Sequence, residues 1–336
     1  MRQQGINMAN TPKSTLRDRF SNMDRENRSV VISFSMIILL IVFGTLFITP
    51  NFASPTFLTQ QLRIASFLGI IAAGQMAVIL TGNIDLSVPW TLNLSAVIAT
   101  SVMAGQDDRL ILGIASAVGV GVIVGLVNGI GVAYLRIPAM VLTLGVNAVL
   151  KGVTVVYTGS APQFQQTPEL LSKAATETLF GFLPIAVILW AMVSLFNYLI
   201  LSRSSMGRKT YAVGNNEIAS YLSGVKTSRV LIMVFILSAV LNALAGLLLA
   251  GNAGRSFNEM GDPYMLPAIA AVVVGGTSIL GGSGKYMGTI AGVIIVRLLD
   301  GALNIVQVPA ATKDITFGLV ILLMLFLYGR AEKVRE

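Results

Sequence analysis

Two stretches of this sequence hold residues that could do chemistry. The first is GGTSILGGSGK, Gly275 to Lys285, which follows an apolar run and ends in Gly-Lys. A phosphate-cradling loop needs a glycine, four residues, then Gly-Lys-Ser/Thr, so that backbone amides hold the phosphates and the hydroxyl holds magnesium. Counting back from Gly284-Lys285 puts Ile279 where the first glycine belongs, and Tyr286 stands where the hydroxyl belongs. The stretch is therefore not read as a nucleotide site. Gly275, Gly276, Gly281 and Gly282 suit a tight turn between closely packed helices, because small residues let helix backbones approach. On the residues alone it is either a glycine-rich hairpin or the kinked cytoplasmic mouth of a translocation path.

The second stretch is TGNIDLSVPW, Thr81 to Trp90, in which Asp85 stands between apolar runs with no basic neighbour. A charge near mid-membrane costs roughly 2.5–3.5 kcal/mol on insertion scales, so Asp85 must face a cavity, a partner or an interface. The plainer alternative is a loop aspartate capping a helix with Ser87 and Pro89. Lys151, Arg297 and Asp300 also lie in apolar runs; Arg297 and Asp300 are three apart on one helix face and can pair. There is no histidine and no cysteine. That excludes a Ser/His/Asp triad, a thiol nucleophile, an imidazole or thiolate metal site and a disulfide framework.

The elements that must position these residues are membrane helices. The chain is 54% hydrophobic and 11% charged, against about 25% charged in soluble domains. Ten runs approach the roughly 20 apolar residues that a spanning helix needs: 30–48, 64–80, 91–103, 110–135, 139–156, 182–201, 230–250, 264–274, 287–303 and 312–328. The third and eighth are short, and short spans interrupted by glycine or proline mark buried, functional backbone. The expected fold is thus all-α and polytopic: a polar leader over 1–29, a transmembrane domain over 30–330 with a basic connection at 203–229, and a tail over 331–336. The first span is expected to stay as an anchor, since its apolar core starts too far from Met1 for a cleaved signal. Asn93, Asn147 and Asn242 are candidates to line a polar path, or equally to bond helix to helix.

Of the 23 basic residues, 16 fall in the leader, the tail and connections of one parity, and 5 in connections of the other. The excess predicts both termini in the cytoplasm. It also accounts for the net charge of +8 without nucleic acid, because the charges are scattered rather than gathered in one groove. Within 203–229, Asn215 or Asn216 suits a helix N-cap, Glu217 the first turn and Gly224 the stop. Ile218, Tyr221 and Leu222 then share one face. Two turns are not stable alone in water, so this face needs either the membrane plane or the groove of a cytoplasmic partner.

Four motifs, in order along the chain, resemble the permease subunit of ribose-type bacterial ABC importers, which serve monosaccharides and the autoinducer-2 signal. GNIDLSV at 82–88 is similar to that family's GGIDLSVG, and GLVNG at 125–129 with IPAMVLTLG at 137–145 to its NG…PxFIxTLG. GRKTYAVGNNEIASYLSGV at 207–225 resembles its cytoplasmic connection, and IAAVVVGGTSILGGSG at 269–284 its IAAVVLGGTSxxGGxG signature. The resemblance spans about residues 30–330. It implies an inner-membrane permease of about ten helices that moves a small sugar or sugar-like solute by ATP-driven alternating access, without catalysis or a cofactor of its own. The implied partners are a second permease copy or close paralogue, two cytoplasmic ATPase domains carrying the ATP and magnesium, a periplasmic binding protein and the lipid bilayer. Gly214, Asn215, Asn216, Glu217, Ile218, Tyr221 and Leu222 would form the coupling helix in the ATPase groove. Three departures from the family pattern, Asn83, Pro89 and Pro267, leave the substrate subgroup open, and the two prolines predict a locally different backbone. The alternative from another class is an ion-coupled secondary transporter in which Asp85, Lys151, Arg297 and Asp300 form the relay.

Overall fold

The structure, a computed structural model, describes residues 25–161 and 163–332. Most of the expected leader and the last residues of the tail lie outside that range. The chain is a helical bundle. In order it runs α1 (Arg25–Phe47), α2 (Pro55–Ile79), α3 (Val88–Met103), α4 (Leu110–Ala133), α5 (Ala139–Tyr157), α6 (Glu169–Thr176), α7 (Ile185–Arg203), α8 (Ser205–Asn215), α9 (Glu217–Leu222), α10 (Thr227–Ala253), α11 (Met265–Val274), α12 (Tyr286–Ile305) and α13 (Ala310–Glu332). Each of the ten apolar runs falls on a helix. Among the described residues seven helices are long and apolar enough to cross a membrane, and α3 and α11 are shorter. The 10 residues of α11 span about 15 Å, half a hydrocarbon core.

α3 forms the centre. From Val88 to Val97 every residue is buried, the polar Thr91, Asn93 and Ser95 included. α4, α10 and α5 pack against it, while α1, α4, α5 and α7 keep broad apolar faces outward. Two seams are set by glycine. Gly121, Gly125 and Gly129 of α4 lie against the α10 backbone; a Cβ on Gly129 would come within 2.7 Å of the Ile232 Cα. Gly288 and Gly292 of α12 press likewise on the carbonyls of Gly275 and Ala271. With lipid as apolar as leucine, such close backbone contact is what holds membrane helices together.

The connections gather at two ends. At the basic end, the α2–α3 connection, α8, α9 and the 275–285 loop meet, and Lys285 Nζ reaches Asn27 Oδ1 at 2.6 Å. At the opposite end, β1 (Gln163–Gln166) pairs antiparallel with β4 (Arg255–Phe257), and β2 (Thr178–Leu179) with β3 (Leu183–Pro184). There Arg63 Nη1 donates to the Thr176 carbonyl at 3.3 Å, and Asp107 accepts from the Leu170 amide at 2.9 Å.

The two prolines do not disturb the backbone as the sequence suggests. Pro89 is the second residue of α3 and Pro267 the third of α11. First-turn amides have no intrahelical acceptor, so a missing N–H costs nothing there.

Candidate functional site

At the basic end three glycine-bearing segments converge. Leu80, at the end of α2, accepts through its carbonyl from the Gly282 amide at 3.0 Å. A Cβ on Gly214, in the last turn of α8, would collide with that same carbonyl oxygen and lie 2.6 Å from the Gly282 nitrogen. A Cβ on Gly281 would sit 2.6 Å from the Gly82 nitrogen and 3.1 Å from the Gly214 carbonyl oxygen. Gly82, Gly281 and Gly282 all have positive φ, 75°, 91° and 72°, a region side chains rarely adopt. Asn215 Nδ2 donates to the Gly282 carbonyl at 3.2 Å, and Tyr211 Oη to that of Gly284 at 2.7 Å. The end of α8, the end of α2 and the 275–285 loop are therefore in direct backbone contact at Gly214, Leu80, Gly82 and Gly281, with the Asn215 and Tyr211 side chains bonded to the loop beside it. Gly275 lies apart from this node, in the α11–α12 seam, and Gly276 turns the chain out of α11 at φ 91°.

α9 stands directly on the node. Of the two asparagines that suit its N-cap, Asn216 takes the role: its Oδ1 accepts from the Ala219 amide at 2.8 Å. Asn215 is the last residue of α8 and faces the loop. At the other end Gly224, at φ 85°, donates to Tyr221 O at 2.9 Å and Val225 to Ser220 O at 3.0 Å, the paired bonds of a Schellman stop. Both ends of this six-residue helix are thus fixed. Ile218, Tyr221 and Leu222 are 74%, 68% and 78% exposed, and Glu217 is exposed beside them in the first turn.

Asp85 sits in the connection that leads from the node into α3. It is fully buried. Its Oδ1 accepts from the Ser87 amide at 2.9 Å and the Ser87 hydroxyl at 2.6 Å, and its Oδ2 from Ser238 of α10 at 3.2 Å. Asn128 of α4 donates to the Ser87 hydroxyl at 2.9 Å, and Thr143 of α5 accepts from the Leu86 amide at 2.9 Å. The tripeptide Asp85–Ser87 so ties the start of α3 to α4, α5 and α10. Among the described residues Asp85 forms no ion pair. The other intramembrane charges lie elsewhere: Arg297 pairs with Asp300, which also meets Lys313 of α13 at 3.4 Å, and Lys151 pairs with Glu259 at 3.7 Å. The four charges of an ion relay are not brought together.

The three intramembrane asparagines have three different situations. With its amide oriented to satisfy the neighbouring turn, Asn93 Oδ1 accepts from Glu259 N at 2.7 Å and Met260 N at 3.3 Å. Asn147 Oδ1 accepts from the Trp90 amide at 3.3 Å. Asn242 is fully buried, and neither amide atom has a partner among the described residues. Sequence reasoning misses Gly82, Ser87, Asn128 and Ser238 as site residues. Gly82 and Ser87 lie in GNIDLSV and Asn128 in GLVNG, whereas Ser238 lies in none of the quoted motifs.

Comparison with known proteins agrees with this architecture. Residues 57–325 match the family model described as branched-chain amino acid transport system / permease component. The ribose import permease protein of Haemophilus influenzae is 36% identical over 293 residues, 86% of this chain and 90% of the relative. That of Escherichia coli K12 is 34% identical over 310 residues, 91% of this chain and 94% of its own length. The autoinducer 2 import system permease protein of Escherichia coli O9:H4 is 32% identical over 314 residues, 93% of this chain and 90% of the relative. No solved structure matches.

Proposed function

The chain belongs to the family of transport-system permease components, and on that premise we propose that it is the membrane subunit of an ATP-driven importer for a small sugar or sugar-like solute. Its similarity to ribose and autoinducer-2 import permeases over most of both chains supports the solute class. The bundle works as one of two, paired with a second copy or a close paralogue in a bacterial inner membrane. Both termini and α9 face the cytoplasm, on the strength of the basic excess at that end. ATP and magnesium bind to two separate ATPase domains; this subunit converts their closure into alternating access. A binding protein delivers solute at the opposite end.

The observation that carries this reading is the bare Ile218–Tyr221–Leu222 face on a helix whose base is welded to the membrane domain. A two-turn helix has no reason to be capped at both ends and left apolar in water. Buried in a groove it is a lever: force on α9 passes through Gly214 and Asn215 to the 275–285 loop and to Leu80, and from there to the Asp85 brace at the start of α3. Asp85 stands apart from the Arg297–Asp300 pair and from Lys151, which weighs against an ion relay through all four. The test is purification of the tagged chain in mild detergent, expressed with its neighbouring genes. An ATPase should co-purify and should be lost on deletion of residues 215–223. A clean chain without ATPase would overturn the reading.

A further inference from the structure

At the end opposite α9, the turn between β4 and α11 presents Glu259 in an unusual way. Glu259 has φ 68°, the left-handed region that a residue with a side chain enters only when its surroundings impose it. Here three contacts do so. Buried Asn93 accepts the Glu259 amide, Asn258 Nδ2 donates to Ala161 O at 2.8 Å, and Gly261 is pressed against the Pro89 carbonyl. The fastened turn leaves the carboxylate 65% exposed, 3.7 Å from Lys151, whose ammonium also lies 5.3 Å from the centre of the Trp90 ring.

Lys151 belongs to a helix apolar enough to span the membrane, two turns short of its end, and is itself half exposed. A lysine can snorkel to water, and a solvent-exposed pair so formed contributes little. Such a pair needs no strained and thrice-anchored partner. Backbone held in a sparsely populated conformation clusters at ligand clamps. Glu259 also lines, with Asp262, a cavity of about 650 Å³ whose other walls include Asn252, Tyr264, Arg297 and Asp300. That volume is in the range of small-molecule sites. Its charged lining is Glu259, Asp262, Asp300 and Asp314 with Arg297 and Lys313, so it presents acceptors and donors side by side.

We propose that Glu259, on the lining of this cavity, and Lys151, its ion-pair partner, form a contact site for a polyhydroxylated solute on its way through the subunit. The carboxylate accepts from hydroxyls and the ammonium donates to them. The inference rests on the importer reading above and names where its solute touches the chain.

The test uses the full chain assembled with its ATPase and binding protein in proteoliposomes. It reads uptake of radiolabelled aldopentoses and aldohexoses, beginning with ribose, together with ATP hydrolysis. A wild type that hydrolyses ATP and moves none of them overturns the solute class, and this site with it. On a transporting wild type, Glu259→Gln should lower uptake about tenfold, the worth of one hydrogen bond to a charged group, and leave ATP hydrolysis within about twofold. Unchanged uptake in Glu259→Gln would overturn the site and leave the importer reading standing. The exchange of Lys151→Glu with Glu259→Lys keeps the ion pair and reverses its direction. Full recovery of uptake would make the pair a structural clasp and overturn the proposal; continued loss in a membrane-inserted, ATP-hydrolysing complex is the result expected.

Discussion

The two ends of the bundle are built on opposite principles. At the basic end α8, α2 and the 275–285 loop touch through backbone, and glycine is required at Gly214, Gly281 and Gly282 because no Cβ fits. At the opposite end, beside the short β ladders and the Gly261–Pro89 contact, charged side chains carry contacts: Arg297, Asn304 and Lys313 around Asp300, and Lys151 with Glu259. Backbone contacts without slack transmit displacement, since close-packed interiors pass strain on rather than absorb it. Long polar side chains around a cavity can rearrange. An importer driven from one side needs the first property where force enters and the second where solute is met.

The deepest test of this contrast is a side chain at the node. Gly281→Leu places bulk against Gly82 and the Gly214 carbonyl, at a φ of 91°. Overpacking costs about 1–3 kcal/mol and occasionally more, and here only backbone can yield. Uptake should be abolished, with membrane insertion retained as judged by protease protection of the basic connection. Full transport by Gly281→Leu would reduce the node to a plain hairpin. Next in size is the lever itself: Glu217→Lys with Tyr221→Ala should uncouple ATP hydrolysis from uptake while the chain still inserts. Wild-type coupling in that double variant would remove α9 from the mechanism.

A smaller effect separates the helix from its contact face. Asn216→Ala deletes the cap bond to the Ala219 amide, a loss of about 1 kcal/mol, or roughly fivefold in the folded-to-unfolded ratio of α9. Uptake should fall several-fold, and Asn216→Asp, which keeps the acceptor, should restore most of it. Equal loss in both variants would mean that the amide group touches a partner rather than capping the helix.

How much of this was legible in the sequence follows from the range of each interaction. The ten helices were written locally, in apolar runs. So was α9, since a cap, a stop and an apolar face within ten residues are all short-range signals; only the choice between Asn215 and Asn216 needed the fold, because both are good caps and the 275–285 loop claims one. The glycines of 275–285 announced a tight turn, but Gly214, which the resemblance implies for the coupling helix, lies in the last turn of α8, and its need for a bare Cα shows only where Leu80 and Gly282 are brought beside it. Asp85 could be read as a cap, whereas its hold on Ser238, and that of Ser87 on Asn128, joins residues far apart in the chain. Glu259 carried no signal: its conformation is imposed by Asn93 and Pro89. The prolines misled for a simpler reason, that a missing donor matters only beyond the first turn.

The smallest expected effect lies at the end opposite α9, and it is the one most able to break the comparison. α13 is tied to α12 by Lys313, which reaches Asp300 at 3.4 Å and also meets Asn304. Lys313→Met removes this tie and keeps most of the stem's apolar volume. Asp300 retains Arg297 and Asn304, so no carboxylate is left alone, and the loss should be that of one partly exposed pair, about 1 kcal/mol or less. Thermal unfolding in detergent should shift by a few degrees at most, with uptake near wild type. If Lys313→Met instead stopped transport as fully as Gly281→Leu, the polar end would be as tightly geared as the glycine end. The division of labour between a transmitting end and a yielding one would then have to be given up.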